Sequence, residues 1–295
     1  MKIYIICFLF TSIAFSQKKQ KDSTFVSRRY VSIAYFKENG KTLTKEDSLS
    51  FVFSNKDTLV AVSDSFEFYE KGTKVRYEPK DSLFLETYKN VVYGTDSKDS
   101  ISRKYMRYWK DPISIYFHKS VPKRHRKELM QFAHKLSKKI DSLTIREVKD
   151  WDDSNYLVYY LDQENDIELN SQMNNASASY RENWNDKSQI NRAATRIDTR
   201  KITDQHYQLI LLKYRFFQSL GYFSSSKQLA CSNYFSACQS VRELSETDLE
   251  LLAYHYSYGI CKGIDLNTFE KLHRENKEKL RENPNSEIYF MHTED

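Results

Sequence analysis

The sequence predicts an α+β protein, with a small antiparallel β region on the N-terminal side followed by a mixed α/β domain. Three observations carry this. Residues 25–98 hold short β-branched or aromatic segments separated by turn residues. Beyond about residue 105, strand-like segments alternate with stretches whose apolar residues recur at 3.6-residue spacing. Aromatic residues make up 15% of the chain while Gly (6) and Pro (4) are scarce, so a ring-rich core is available and a linker-like or collagen-like chain is excluded.

Taken in order, residues 1–16 read as a cleaved signal peptide. Lys2 precedes the apolar run Ile3–Phe15, which ends at the small-x-small site Ala14-Phe15-Ser16. A membrane anchor would need about 20 apolar residues, and Lys18, Lys19, Lys21 and Asp22 close the run first. The expectation is therefore a periplasmic or secreted protein with no transmembrane segment in its mature chain. Residues 17–24 read as a flexible arm.

Strands are expected at Tyr30–Phe36, Leu49–Phe53, Thr58–Val62, Phe66–Tyr69, Lys74–Tyr77 and Leu83–Leu85. Asn39-Gly40, Asn55-Lys56-Asp57, Lys71-Gly72 and Pro79-Lys80-Asp81 serve as turns. Thr95–Ser100 reads as a linker. The second domain, residues 105–262, opens with a strand at Ile113–His118. Pro122 then starts a helix to about Asp141, with Leu129, Phe132, Ala133, Leu136 and Ile140 on one stripe. Tyr156–Leu161 is a buried-type strand, residues 163–189 an Asn/Ser-rich loop, and Ile190–Ile197 a weaker strand. A helix from Asp204 to Leu220 is capped by Gly221. The capping-box pattern Ser245–Asp248 starts the next, which Gly259 ends. Residues 263–295 supply a last helix, about Asn267–Glu282, and a tail from Pro284.

Export makes the cysteines informative. Cys7 would leave with the signal, so Cys231, Cys238 and Cys261 remain. One disulfide plus one free thiol is expected in an oxidising compartment. The short Cys231–Cys238 loop favours that pair, with Cys261 bridged to either as the alternative.

Within 105–262, the order strand, long helix, strands, helix ending in Gly, loop and capped helix resembles the catalytic domain of metzincin zinc peptidases. Tyr214-Arg215-Phe216-Phe217-Gln218-Ser219-Leu220-Gly221 overlays the family pattern His-Glu-x-x-His-x-x-Gly. Cys231–Phe235 takes the place of its Met-containing turn, and Glu243–Tyr256 looks like its closing Leu-Ser-x-x-Asp helix. The segment is also similar to a family of exported bacterial proteins of unknown function that keep this scaffold. The resemblance implies zinc held by the first and fifth positions and by a third ligand ten residues after the first, with a Glu base at the second. Those places hold Tyr214, Gln218, Ser224 and Arg215. Tyr, Gln and Ser are poor zinc ligands, and Arg215 sets a fixed cation where the base belongs. No zinc or other cofactor is expected, and no His-x-x-x-His pair exists elsewhere.

Other chemistry is thin. Six glycines supply no P-loop, GxGxxG or Gly-x-Ser-x-Gly. The acidic groups Asp152-Asp153 and Asp162/Glu164/Asp166 read as solvated loop edges. The net charge of +6 is small for the length and does not call for nucleic acid. A basic helix face, Lys123, Arg124, Arg126, Lys127, Lys135, Lys138 and Lys139, is the candidate contact for an anionic envelope polymer or another envelope protein. The expected function is an exported non-enzymatic binding or scaffolding protein. The alternative is a secreted or periplasmic hydrolase of envelope polymer.

Overall fold

A computed structural model describes residues 29–38, 41–54, 57–63, 72–95, 104–238 and 242–293. The signal segment and arm, the strand expected at Phe66–Tyr69, the turn at Asn39-Gly40 and the linker beyond Thr95 lie outside the described residues. The protein is α+β, and the chain divides into two compact units, Met1–Glu70 and Lys71–Asp295.

The first unit is built on a three-stranded antiparallel sheet of order β1-β3-β2, from β1 (Arg29–Ser32), β2 (Val52–Ser54) and β3 (Asp57–Val62). The strand expected over Tyr30–Phe36 ends at Ser32 and continues as helix α1 (Ile33–Glu38). Its turn lets Phe36 pack with Val31 and Val60 in one small core. Leu49, expected in a strand, closes helix α2 (Lys45–Leu49) instead. Thr44 starts that helix through a capping box with Asp47, whose carboxylate the Thr44 amide holds below its ordinary pKa.

In the second unit, β4 (Gly72–Arg76) pairs antiparallel with β11 (Tyr289–Thr293), so the expected tail from Pro284 forms a strand. Leu83–Leu85, expected as a strand, lies in helix α3 (Ser82–Tyr93). The reason is local. The Asp81 side chain accepts from the Phe84 amide, Gly94 ends the helix at φ 63°, and Leu85, Tyr88 and Val92 recur on one buried face.

Six strands form the main sheet: β5 (Tyr108–Trp109), β6 (Ile113–Phe117), β7 (Ile145–Val148), β8 (Tyr156–Leu161), β9 (Ala178–Trp184) and β10 (Gln189–Asp198). Their order is β5-β10-β8-β6-β7, all parallel, and β9 joins β10 antiparallel. The weak strand expected at Ile190–Ile197 is thus an interior one, and part of the loop expected over 163–189 is β9.

Helices α4 (Lys123–Lys139), α5 (Gln205–Gln218), α6 (Glu246–Tyr256) and α7 (Leu266–Glu282) complete the unit. Alternate strand residues sort between two cores. Ile113, Ile115, Tyr156, Val158, Tyr160 and Ile197 join the helices in the large one. Leu157, Tyr159, Leu161 and Ala194 form a thinner cluster on the opposite face. No helix among the described residues is long and apolar enough to cross a membrane.

Candidate functional site

Helix α5 starts where Asp204 accepts from the Tyr207 amide. It buries Leu209, Leu212, Phe216 and Phe217, with Tyr214 and Gln218 also buried, and Tyr214 and Arg215 line a cleft. There the side chains join one another. Gln218 Nε2 donates to Tyr214 Oη at 3.1 Å, and Arg215 Nη1 donates to Gln218 Oε1 at 2.7 Å. Tyr214 Oη is also hydrogen-bonded to Ser225 Oγ at 2.7 Å. Ser224, the position the motif spacing selects, is buried, and its amide donates to the Val91 carbonyl of α3 at 2.7 Å. Thus Tyr214, Arg215 and Gln218 are brought together, and the serine that completes their network is the next one along.

A second guanidinium enters from outside the helix. Arg242 lies 3.7 Å from the centroid of the Tyr214 ring, and Arg215 lies 5.3 Å from it. Arg242 Nη2 donates to the Cys238 carbonyl, which ties it to the loop closed by the Cys231–Cys238 disulfide. Among the described residues Cys261 is the free thiol, raised above its ordinary pKa by burial. Sequence reasoning misses Arg242 because only the folded loop brings it to Tyr214.

Between the cysteines, Tyr234 and Phe235 pack beneath α5 against Phe217, with ring centroids 4.9 and 4.8 Å apart. Asp248, fully buried at the first turn of α6, holds this segment. Its carboxylate accepts from the amides of Tyr234 (3.0 Å), Phe235 (3.1 Å) and Ser245 (3.1 Å) and from the Ser245 hydroxyl (2.8 Å). The capping box is legible in the sequence; the capture of the distant turn is not.

The buried histidines are engaged by tyrosines. His255 Nε2 donates to the Arg107 carbonyl at 2.8 Å, so Nδ1 accepts from Tyr88 at 3.1 Å. His125 is hydrogen-bonded to Tyr160 (2.9 Å), and His273 bridges Tyr77 and Tyr254 at 3.0 Å each. Burial lowers all three pKa values, that of His273 to about 4. His134 and His206 are exposed. Among the described residues, no group of three or more His, Cys, Asp or Glu is placed to hold a metal ion.

The acidic groups are apart from the cleft. Asp152 and Asp153 lie exposed in a 3-10 turn, and Asp162 accepts from the Glu164 and Asn165 amides in a tight turn. On α4, Lys123, Arg124, Lys127, Lys135, Lys138 and Lys139 are exposed. Arg126 is instead ion-paired with Glu147, and Glu128 pairs with Lys213 of α5 at 3.1 Å.

Compared with known proteins, the sequence matches no family model and no curated protein.

Proposed function

We propose that the chain is an exported, non-enzymatic binding or scaffolding protein, with a second unit built on a metzincin-like scaffold that has lost its metal site. The order β6, α4, β7 to β10, α5, disulfide loop and capped α6 supports the scaffold, as does the turn 234–235 held under α5 by Asp248. Export is supported by the Cys231–Cys238 disulfide.

One observation carries the loss of catalysis. On α5, the two positions that would hold zinc and the one that would supply the base are hydrogen-bonded to one another as hydroxyl, amide and guanidinium. Zinc needs lone pairs on imidazole, thiolate or carboxylate. Here the guanidinium offers donors only, and the amide oxygen is already taken by Arg215. A nucleophilic water at this place would meet a fixed cation instead of a base. The cleft can hold a ligand, and these three positions offer it a hydroxyl, an amide and a guanidinium rather than a metal or a base.

The test is elemental analysis of the purified chain together with a peptide-hydrolysis assay. The expected result is no stoichiometric zinc and no cleavage. One tightly bound zinc per chain, lost on changing Tyr214 and Gln218, would sink the reading.

A further inference from the structure

The face of the main sheet turned away from α5 carries a hollow of its own. Leu209, Leu212 and Phe217 of α5 pack in the large core with Tyr156 and Val158 of β8, whereas Leu157 of β8 and Ala194 of β10 belong to the opposite face. Those two line a hollow of about 310 Å³, inside the range of about 300–1,000 Å³ usual for small-molecule sites. Strand register decides what else lines it. Ala194 lies opposite Arg181 of β9, and Arg192 lies opposite Asn183, so both arginines and the asparagine stand on that same face. Among the described residues, Arg192 is exposed and its guanidinium has no ion pair or hydrogen bond, and the Asn183 amide has none either. Arg181 engages only its Nε, which donates to Gln172 Oε1 at 3.0 Å. No Asp or Glu lines the hollow. Its rim holds Trp151, whose side chain is seated edge-on against Tyr116, ring centroids 5.7 Å apart at 87°, yet stays 50% exposed.

We infer that this hollow binds a carboxylated sugar, with its ring laid on Trp151, its carboxylate taken by Arg192 and its hydroxyls met by Asn183 and Arg181. A sugar ring has an apolar C–H face and a rim of hydroxyls. A half-exposed indole matches the first, and planar amide and guanidinium groups match the second. The guanidinium of Arg192 presents paired N–H donors that fit the two oxygens of a carboxylate, and the absence of acidic lining selects an acid over a neutral sugar. Part of the site is in place before any ligand arrives. Asn170 Oδ1 accepts from the Gln172 amide at 3.1 Å, and Gln172 in turn holds Arg181, which lowers the ordering cost of binding. A nucleotide would use the same ring and charge, but the polar side chains around the indole favour a ligand whose hydroxyls leave its ring on every side. The hollow lies across the sheet from α5, so this assignment goes beyond the reading of the lost metal site and does not rest on it.

The experiment is calorimetric titration of the full chain at low salt with D-glucuronate, its neutral amide D-glucuronamide, and uridine monophosphate. The acid is expected to bind at least about tenfold tighter than the amide, and to weaken as salt rises. Arg192→Gln and Trp151→Ala should each remove about tenfold of that affinity; both side chains are exposed, so neither change threatens the fold. Equal binding of acid and amide, or no heat from the acid at millimolar concentration, overturns the proposal on the unmodified protein, whatever the variants do. The nucleotide binding as tightly as the sugar acid overturns the sugar assignment. Acid binding that both variants leave intact lies elsewhere on the chain and overturns the placement.

Discussion

Gly221 follows the end of α5, where its smallness is needed for close approach rather than for an unusual backbone angle. A Cβ built on it would lie 2.4 Å from Phe223 Cζ and 2.9 Å from His255 Nε2, and the left-handed conformation belongs to Tyr222 at φ 55°. Gly221→Ala should therefore destabilise by about 1–3 kcal/mol through overpacking, read as a lower urea midpoint. Asp248→Ala should cost more, about 3 kcal/mol or above, because it strands two buried amides and a half-buried one at once. His273 gives a pH dependence. Its imidazole is 5% exposed and is held neutral by burial down to about pH 4, whereas an unfolded His takes up a proton near 6.5. The unfolded chain thus binds the extra proton first, so stability is complete above about pH 6.5 and falls as pH drops toward 4. The loss from this residue is about 3 kcal/mol. Denaturation midpoints from pH 7 to 4.5 should show the decline, and His273→Gln should make it shallower. A flat profile in the unmodified protein would remove the account.

At the scale of elements, the Asn/Ser-rich segment before β9 is ordered by one buried cation. Arg196 of β10 donates to Glu168 Oε2 at 2.7 Å and to the carbonyls of Asn174 (3.0 Å) and Ala176. Tyr159 also donates to Glu168. Removing the guanidinium would leave two carbonyls without this donor and Glu168 Oε2 without its cation. Arg196→Met should then loosen residues 163–177 by about 2–3 kcal/mol and speed limited proteolysis there severalfold, with the rest of the unit cleaved as before. The same elements show what a linear reading can see. Helices α4 to α7 are legible because an apolar stripe and a capping residue lie close together in the chain. α3 is misread because the aromatic and β-branched residues of Leu83–Tyr93 suit either state, and the deciding signals, Asp81 and Gly94, stand at its two ends. β9 and β11 escape notice because their polar residues gain strand character only from a partner strand.

For the molecule as a whole, the disulfide makes a prediction independent of any ligand. A chain lacking residues 1–16, and so Cys7, alkylated intact under denaturing, non-reducing conditions should take up one label, at Cys261. Reduction should free two more thiols and lower stability by about 2–3 kcal/mol, the entropy of a loop this short. Two or three labels before reduction would remove the Cys231–Cys238 bridge.

The α+β class and the starts of α4 to α7 are written in short stretches of sequence, because periodicity and capping act over a few residues. The division at Glu70, the partner of β4, the choice of Ser225 over Ser224 and the arrival of Arg242 at Tyr214 are not. Each depends on contacts between residues distant in the chain, whose energies come from burial and from satisfying polar groups away from water. Cleft composition belongs to this second kind: Arg242 reaches the Tyr214 ring from a loop distant in the chain from α5.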